Sequence, residues 1–313
     1  MADAPYDPLP DARPLNWVDR HAPEALKPWL KLGRFDRPIG VWLLMLPGWQ
    51  GVALAYAERH SFVTDWKRFL LLIVEFAVGA TLMRAAGCAY NDIVDRDVDA
   101  KVARTADRPL ASGRISMGKA WVFIAGCSLI SFLILLSFNR FAVMLGAASL
   151  LLVAAYPFMK RITWWPQAWL GLTFNWGALL GYAAVEGRLS VEAGLLYAGG
   201  LFWTLGYDTI YALQDIEDDA LVGVKSTARR FGRKVPVAVL VFYALAALLA
   251  FLVWLPAKLG PLFFPFAALY ALHLASQARR LKLNDPVLAL RLFKSNRTAG
   301  ILLVLALAAG AWR

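Results

Sequence analysis

Two short acidic clusters are where this chain could do chemistry. The first reads Asn91-Asp92-Ile93-Val94-Asp95-Arg96-Asp97-Val98-Asp99, and the second, between Asp208 and Asp219, holds Asp208, Asp215, Asp218 and Asp219. On a helix of 3.6 residues per turn, Asp95 falls about 60° from Asp92 and Asp99 about 20° from it, so the three share one face. Asp97 points to the far side. In the second cluster Asp208, Asp215 and Asp219 lie within about 40° of one another, with Tyr211 flanking, while Asp218 is about 80° off. Like charges on one helical face repel by a few tenths of a kcal/mol per pair, which a cation would offset. Oxygen ligands without clustered His or Cys indicate a hard metal. Mg2+ is usually held by few carboxylates, completed by water and substrate phosphates. Asp92, Asp95, Asp99, Asp215 and Asp219 are therefore the candidate metal ligands, and Asp208 joins them as a sixth catalytic carboxylate. Two such faces opposite each other could grip a diphosphate through Mg2+.

Basic residues follow each cluster: Arg104 and Arg108 after the first, Lys225 and Arg229 after the second. They could make charge-assisted contacts with phosphate oxygens; anchoring of loops beside a membrane explains them equally well. Arg84 lies about two turns inside an apolar stretch, where a guanidinium is costly unless paired or hydrated. Tyr156 and Lys160 are four residues apart and share a helical face, although snorkelling alone accounts for Lys160.

The elements that must position these groups are membrane helices. Of the 313 residues, 59% are hydrophobic and 18% charged, and the mean hydropathy is +0.53. The apolar residues come in blocks such as 69–80, 141–155 and 235–256, too uniform for amphipathic helices of a soluble core. The alternating strands of a membrane barrel are not seen. Nine spans are predicted, at 38–57, 69–90, 119–138, 141–159, 166–185, 192–212, 236–256, 261–279 and 298–312, giving an all-α polytopic membrane protein. Residues 1–30 form a cytoplasmic N-terminal segment, and 31–313 form the nine-helix domain.

With the N-terminus inside, 25 Lys and Arg fall on inside segments and 7 on outside ones, which sets the orientation and puts both acidic clusters on the cytoplasmic face. The same asymmetry accounts for the net charge of +11 without a nucleic-acid partner. Cys88 and Cys127 sit in apolar context and suggest neither a disulfide framework nor a metal site, and His21, His60 and His273 are isolated. Residues 1–30 lack the apolar core of a secretory signal. Their acids and lack of Ser enrichment disfavour a mitochondrial transit peptide. The expected location is a bacterial inner (plasma) membrane.

At these positions the chain resembles the UbiA-type membrane prenyltransferases. Asn91, Asp92, Asp95 and Asp99 match the family's first motif, and Arg104, Thr105, Arg108, Pro109 and Leu110 match the segment after it. Tyr207, Asp208, Tyr211, Ala212, Asp215, Asp218, Asp219, Gly223, Lys225 and Ser226 match the second motif. The stretches Arg34–Gly40 and Tyr156–Arg161 match as well, so the similarity spans about residues 30–313. Members that act on 4-hydroxybenzoate are the most similar, through the Tyr156–Arg161 stretch and the long second motif.

The resemblance implies nine helices around a central cavity, capped by cytoplasmic loops. It implies an Mg2+-dependent transfer of a polyprenyl group from a polyprenyl diphosphate to the carbon ortho to the hydroxyl of 4-hydroxybenzoate, as in ubiquinone biosynthesis. The cavity would admit the isoprenoid tail from the lipid bilayer. The substrate-binding residues would be Asn91, Arg34, Arg84, Arg104, Arg108, Tyr156, Lys160, Arg161, Tyr211 and Lys225, with Arg34 and Arg161 the candidates for the acceptor's carboxylate. The alternatives are another acceptor (dihydroxynaphthoate, homogentisate or haem) and an ion-coupled transporter. Transporter sites usually sit at the midplane on broken helices, unlike these acids at helix ends.

Overall fold

The computed structural model describes residues 16–101, 105–214, 216 and 223–312, and among them every regular element is helical. Two short helices, α1 (Trp17–His21) and α2 (Lys27–Leu32), precede the long ones. These are α3 (Ile39–Arg59), α4 (Trp66–Asp99), α5 (Met117–Leu136), α6 (Arg140–Ile162), α7 (Pro166–Glu186) and α8 (Val191–Tyr211). After the short α9 (Thr227–Phe231) come α10 (Val235–Leu252), α11 (Trp254–Ala257), α12 (Phe263–Arg280) and α13 (Pro286–Ala309). The long helices fall where the spans were expected, and six stretches, within α3, α4, α5, α6, α9–α11 and α13, are long and apolar enough to cross a membrane. The helices α7, α8 and α12 carry more polar side chains, including Gln167, Asn175, Thr204, Thr209, His273 and Gln277.

Two boundaries differ most: α13 begins at Pro286 rather than at 298, and α4 runs past its expected end. The apolar run ends near residue 90, but the helix continues to Asp99 because no Gly or Pro interrupts Ala89–Asp99. The first acidic cluster is thus the polar extension of an apolar helix.

The chain divides into two compact units, Met1–Gly40 with Thr81–Ser131, and Val41–Ala80 with Phe132–Arg313. In the first unit, Asn16 caps α1 by accepting from the backbone N–H of Val18 and Asp19. Lys31 of α2 pairs with Asp19 at 2.7 Å. Leu32 then packs with Ala89 of α4, Leu110 and Ile115 of the loop beyond α4, and Ala120 of α5. These contacts hold the loop that carries Arg108. The Thr105 hydroxyl donates to the Asp99 carbonyl at 2.9 Å, and the Arg108 N–H donates to the Thr105 carbonyl at 3.0 Å. That loop is folded back by its own hydrogen bonds.

In the second unit, small residues let helices approach closely, which in lipid is a main source of packing energy. A Cβ at Gly51 of α3 would lie 2.1 Å from the Ala178 carbonyl oxygen of α7, and one at Gly181 would lie 2.2 Å from the Gly48 carbonyl oxygen. Buried polar side chains satisfy one another between helices. Tyr243 donates to Gln277 Oε1 at 2.9 Å, Asn296 Nδ2 donates to the same atom at 3.1 Å, and Trp203 Nε1 donates to Asn296 Oδ1 at 2.8 Å. Large apolar side chains such as Val122, Leu133, Leu151, Leu248 and Leu272 are exposed. Such an apolar exterior suits lipid rather than water.

Candidate active site

The last turns of α4 bury a row of acids. Asp92 is 1% exposed, Asp95 2% and Asp99 7%, whereas Asp97 on the far side is exposed. Asn91 on the same segment is half-buried. Isolated carboxylates cannot be buried at this depth without partners. Two arginines supply them. Arg34 Nη2 donates to both oxygens of Asp92, at 2.6 and 3.0 Å. Arg108 Nη1 donates to Asp99 Oδ2 at 2.7 Å and reaches Asp92 Oδ1 at 3.3 Å. Burial pushes the Asp99 carboxyl above the usual carboxylate range, and the Arg108 guanidinium opposes that shift.

Both arginines are held by backbone. Arg34 follows α2 and has φ of +59°, the left-handed region that non-glycine residues rarely occupy. Its Nη1 donates to the Lys31 carbonyl at 2.9 Å. Arg108 sits on the folded loop after α4. Arg84 on α4 is half-buried and lies against Gly40, where a Cβ would come 2.6 Å from Arg84 Nε. The glycine makes room for the guanidinium.

In the second unit, Asp208 is half-buried near the end of α8, and the Tyr211 ring packs on Phe293 with centroids 4.5 Å apart. Lys225 donates through its N–H to the Lys160 carbonyl at 3.0 Å and through Nζ to the Ile162 carbonyl at 3.1 Å. The tail of the second motif is therefore tied to the end of α6. Tyr156 and Lys160 are half-buried on α6, and Arg161 is exposed. Arg229 contacts the Val224 carbonyl and lies 5.5 Å from the Trp164 ring centroid. Asp215, Asp218, Asp219 and Arg104 lie outside the described residues.

Sequence reasoning missed the braces. The Thr209 and Thr227 hydroxyls are hydrogen-bonded at 2.6 Å, and Gln167 Oε1 accepts from the Thr227 N–H at 3.0 Å. The available signal was Gln167 itself, a long polar residue at the start of an apolar run. It also missed that Arg34 and Arg108 sit on the carboxylates. No sequence signal joins residues 58 positions apart. Among the described residues, no three acidic, thiol or imidazole groups converge as a ready metal cage. Two of the described carboxylates, Asp92 and Asp99, are turned to arginine.

Residues 44–310 match the model of the UbiA prenyltransferase family. The chain is 45% identical over 307 residues to the mitochondrial 4-hydroxybenzoate polyprenyltransferase of Bos taurus, covering 96% of this chain and 81% of that one. It is 46% identical to the enzyme of that name from Homo sapiens, covering 92% and 76%. Among solved structures, a UbiA homologue from Aeropyrum pernix K1 superposes with a TM-score of 0.69 at 28% identity, covering 84% of this chain and 94% of that one. A UbiA homologue from Archaeoglobus fulgidus bound to GPP and Mg2+ shares the fold, with a TM-score of 0.60 at 20% identity over 90% of this chain and 98% of that one.

These relatives correct one expectation. A bacterial inner membrane does not stand, because close relatives from eukaryotes are mitochondrial. The expectation rested on the composition of residues 1–30, and targeting signals are read by receptors rather than set by the physics of the fold. The multi-pass membrane character is unaffected.

Proposed function

The chain belongs to the UbiA prenyltransferase family, and from that premise we propose that it transfers a polyprenyl group from an allylic polyprenyl diphosphate to the ring carbon ortho to the hydroxyl of 4-hydroxybenzoate, releasing diphosphate. The observation that carries this reading is the 45% identity to the bovine 4-hydroxybenzoate polyprenyltransferase across 96% of this chain.

The donor set fits Mg2+. Asp92, Asp95 and Asp99 are hard oxygen ligands, buried together at the end of α4 beside two arginines. They would hold the ion, with Asp215 and Asp219 as further ligands and Asp208 beside them in the same motif. When bound, Mg2+ would neutralise the diphosphate and make it a better leaving group.

The chain's own residues do the rest. Arg108, Arg104 and Lys225 supply cations for phosphate oxygens, where charge grows as the allylic carbon–oxygen bond breaks. Asn91 donates an amide hydrogen bond to the same group. Arg84, Tyr156, Lys160 and Tyr211 line the substrates, and Arg161 takes the acceptor's carboxylate. The aromatic ring forms the new carbon–carbon bond and then loses its ortho proton. Apolar surroundings keep water from capturing the allylic cation.

The test is mass spectrometry of products from membranes given 4-hydroxybenzoate and mixed polyprenyl diphosphates, with and without Mg2+. Prenylated 4-hydroxybenzoate is expected only with the metal. Its absence under both conditions would overturn the reading.

A further inference from the structure

The oxygens a cation needs are already taken. Arg34 holds Asp92 from 2.6 and 3.0 Å, and Arg108 holds Asp99 from 2.7 Å while also reaching Asp92. Asp92 and Asp99 are each matched by a guanidinium, so a bare divalent ion gains little by displacing it. It would have to part a two-pronged arginine–aspartate contact and strand a guanidinium beside it. A diphosphate changes this balance. Guanidinium matches phosphate as well as carboxylate, again through paired hydrogen bonds.

We propose that Arg34 and Arg108 are place-holders for the metal: they neutralise Asp92 and Asp99 before substrate arrives, and pass to phosphate oxygens when metal and diphosphate enter together. This rests on the function proposed above and adds a binding order to it. The local structure suits an exchange. Arg108 has 28% of its side chain exposed and Arg34 15%, against 1% for Asp92, so the arginines are the partners with room to move. Arg34 also sits at φ of +59°, a backbone conformation kept only where surrounding contacts hold it and often found at switching sites. The contacts to Asp92 and to the Lys31 carbonyl fasten its side chain. Releasing Asp92 removes one of them.

The consequence is that metal and diphosphate each tighten the binding of the other. Mn2+ serves as the probe, with binding to the detergent-solubilised full chain measured by electron paramagnetic resonance of the free ion, without substrate. Arg34→Gln and Arg108→Gln are each expected to tighten Mn2+ binding by roughly tenfold, within the usual range for coupled sites. Inorganic diphosphate should raise Mn2+ affinity strongly in the wild type and less in these variants. Arg114→Gln is the control, since Arg114 shares the loop but contacts Asp107. It should leave Mn2+ affinity unchanged. Arg34→Lys and Arg108→Lys keep the charge, guard against misfolding of the Gln variants and should tighten Mn2+ binding less than those variants do.

Unchanged or weaker Mn2+ binding in both Gln variants would overturn the proposal, as would equal tightening in Arg114→Gln. If the wild type makes prenylated product while the Gln variants leave Mn2+ affinity unchanged, only the exchange fails. If the wild type makes none, the functional reading fails and takes the exchange with it.

Discussion

At the scale of the residue, the charge on α4 is held in a pair-wise balance that mutation will expose. Asp92 is the centre of it, with Arg34 on both oxygens and Arg108 within reach. Asp92→Ala leaves a largely buried Arg34 without its partner, and breaking such a pair costs about 3–5 kcal/mol. A lost activity in that variant would therefore mix folding with chemistry. Asp92→Asn keeps the shape and a hydrogen-bonding oxygen. It is expected to retain helicity by circular dichroism while turnover, followed by product mass spectrometry, falls by about 10²–10³-fold. Asp95→Asn and Asp215→Asn should do the same; near-normal turnover in any of the three with Mg2+ present would remove that residue from the metal-binding set. Arg161 is exposed on α6. Arg161→Ala should raise KM for a carboxylated acceptor with little change in that for the diphosphate, as checked by varying each substrate in turn.

At the scale of the element, what matters is how helix ends are fastened. The loop beyond α4 is fixed by Leu110 and Ile115 in the apolar cluster and by Thr105 on the Asp99 carbonyl, which returns Arg108 to the acids. The segment after the second motif is fixed by Lys225 on the end of α6 and by Ser226, which caps α9 through the Arg229 N–H. Ser226→Ala removes a cap and should lower stability by about 1 kcal/mol, read as a lower melting temperature in detergent. The α3–α7 contact leaves no room for a side chain at Gly181. Gly181→Val drives two backbones apart and should cost about 1–3 kcal/mol by the same measurement, with the acids of α4 untouched. A melting temperature equal to wild type would show that the contact is looser than its geometry implies.

At the scale of the whole molecule, lipid is the solvent, and most polar groups among the described residues are satisfied inside or collected at helix ends. Chelation by EDTA should abolish prenyl transfer, and added Mg2+ should restore it, without change in helix content. The sequence by itself determined the all-helical membrane character, the places of the long helices and the shared face of Asp92, Asp95 and Asp99. Each follows from local periodicity and apolar run length, which need no knowledge of distant contacts. It misjudged the end of α4, because hydropathy reports where the membrane stops and not where a helix does. It also misjudged the cellular address, which a receptor reads and the fold does not. Tertiary structure alone decided that Arg34, 58 residues from Asp92, lies on both its oxygens, and that Thr227 hangs from Gln167. Pairings of that kind depend on how the chain folds back on itself, and a carboxylate in the sequence says that it needs a partner without saying which one it will find.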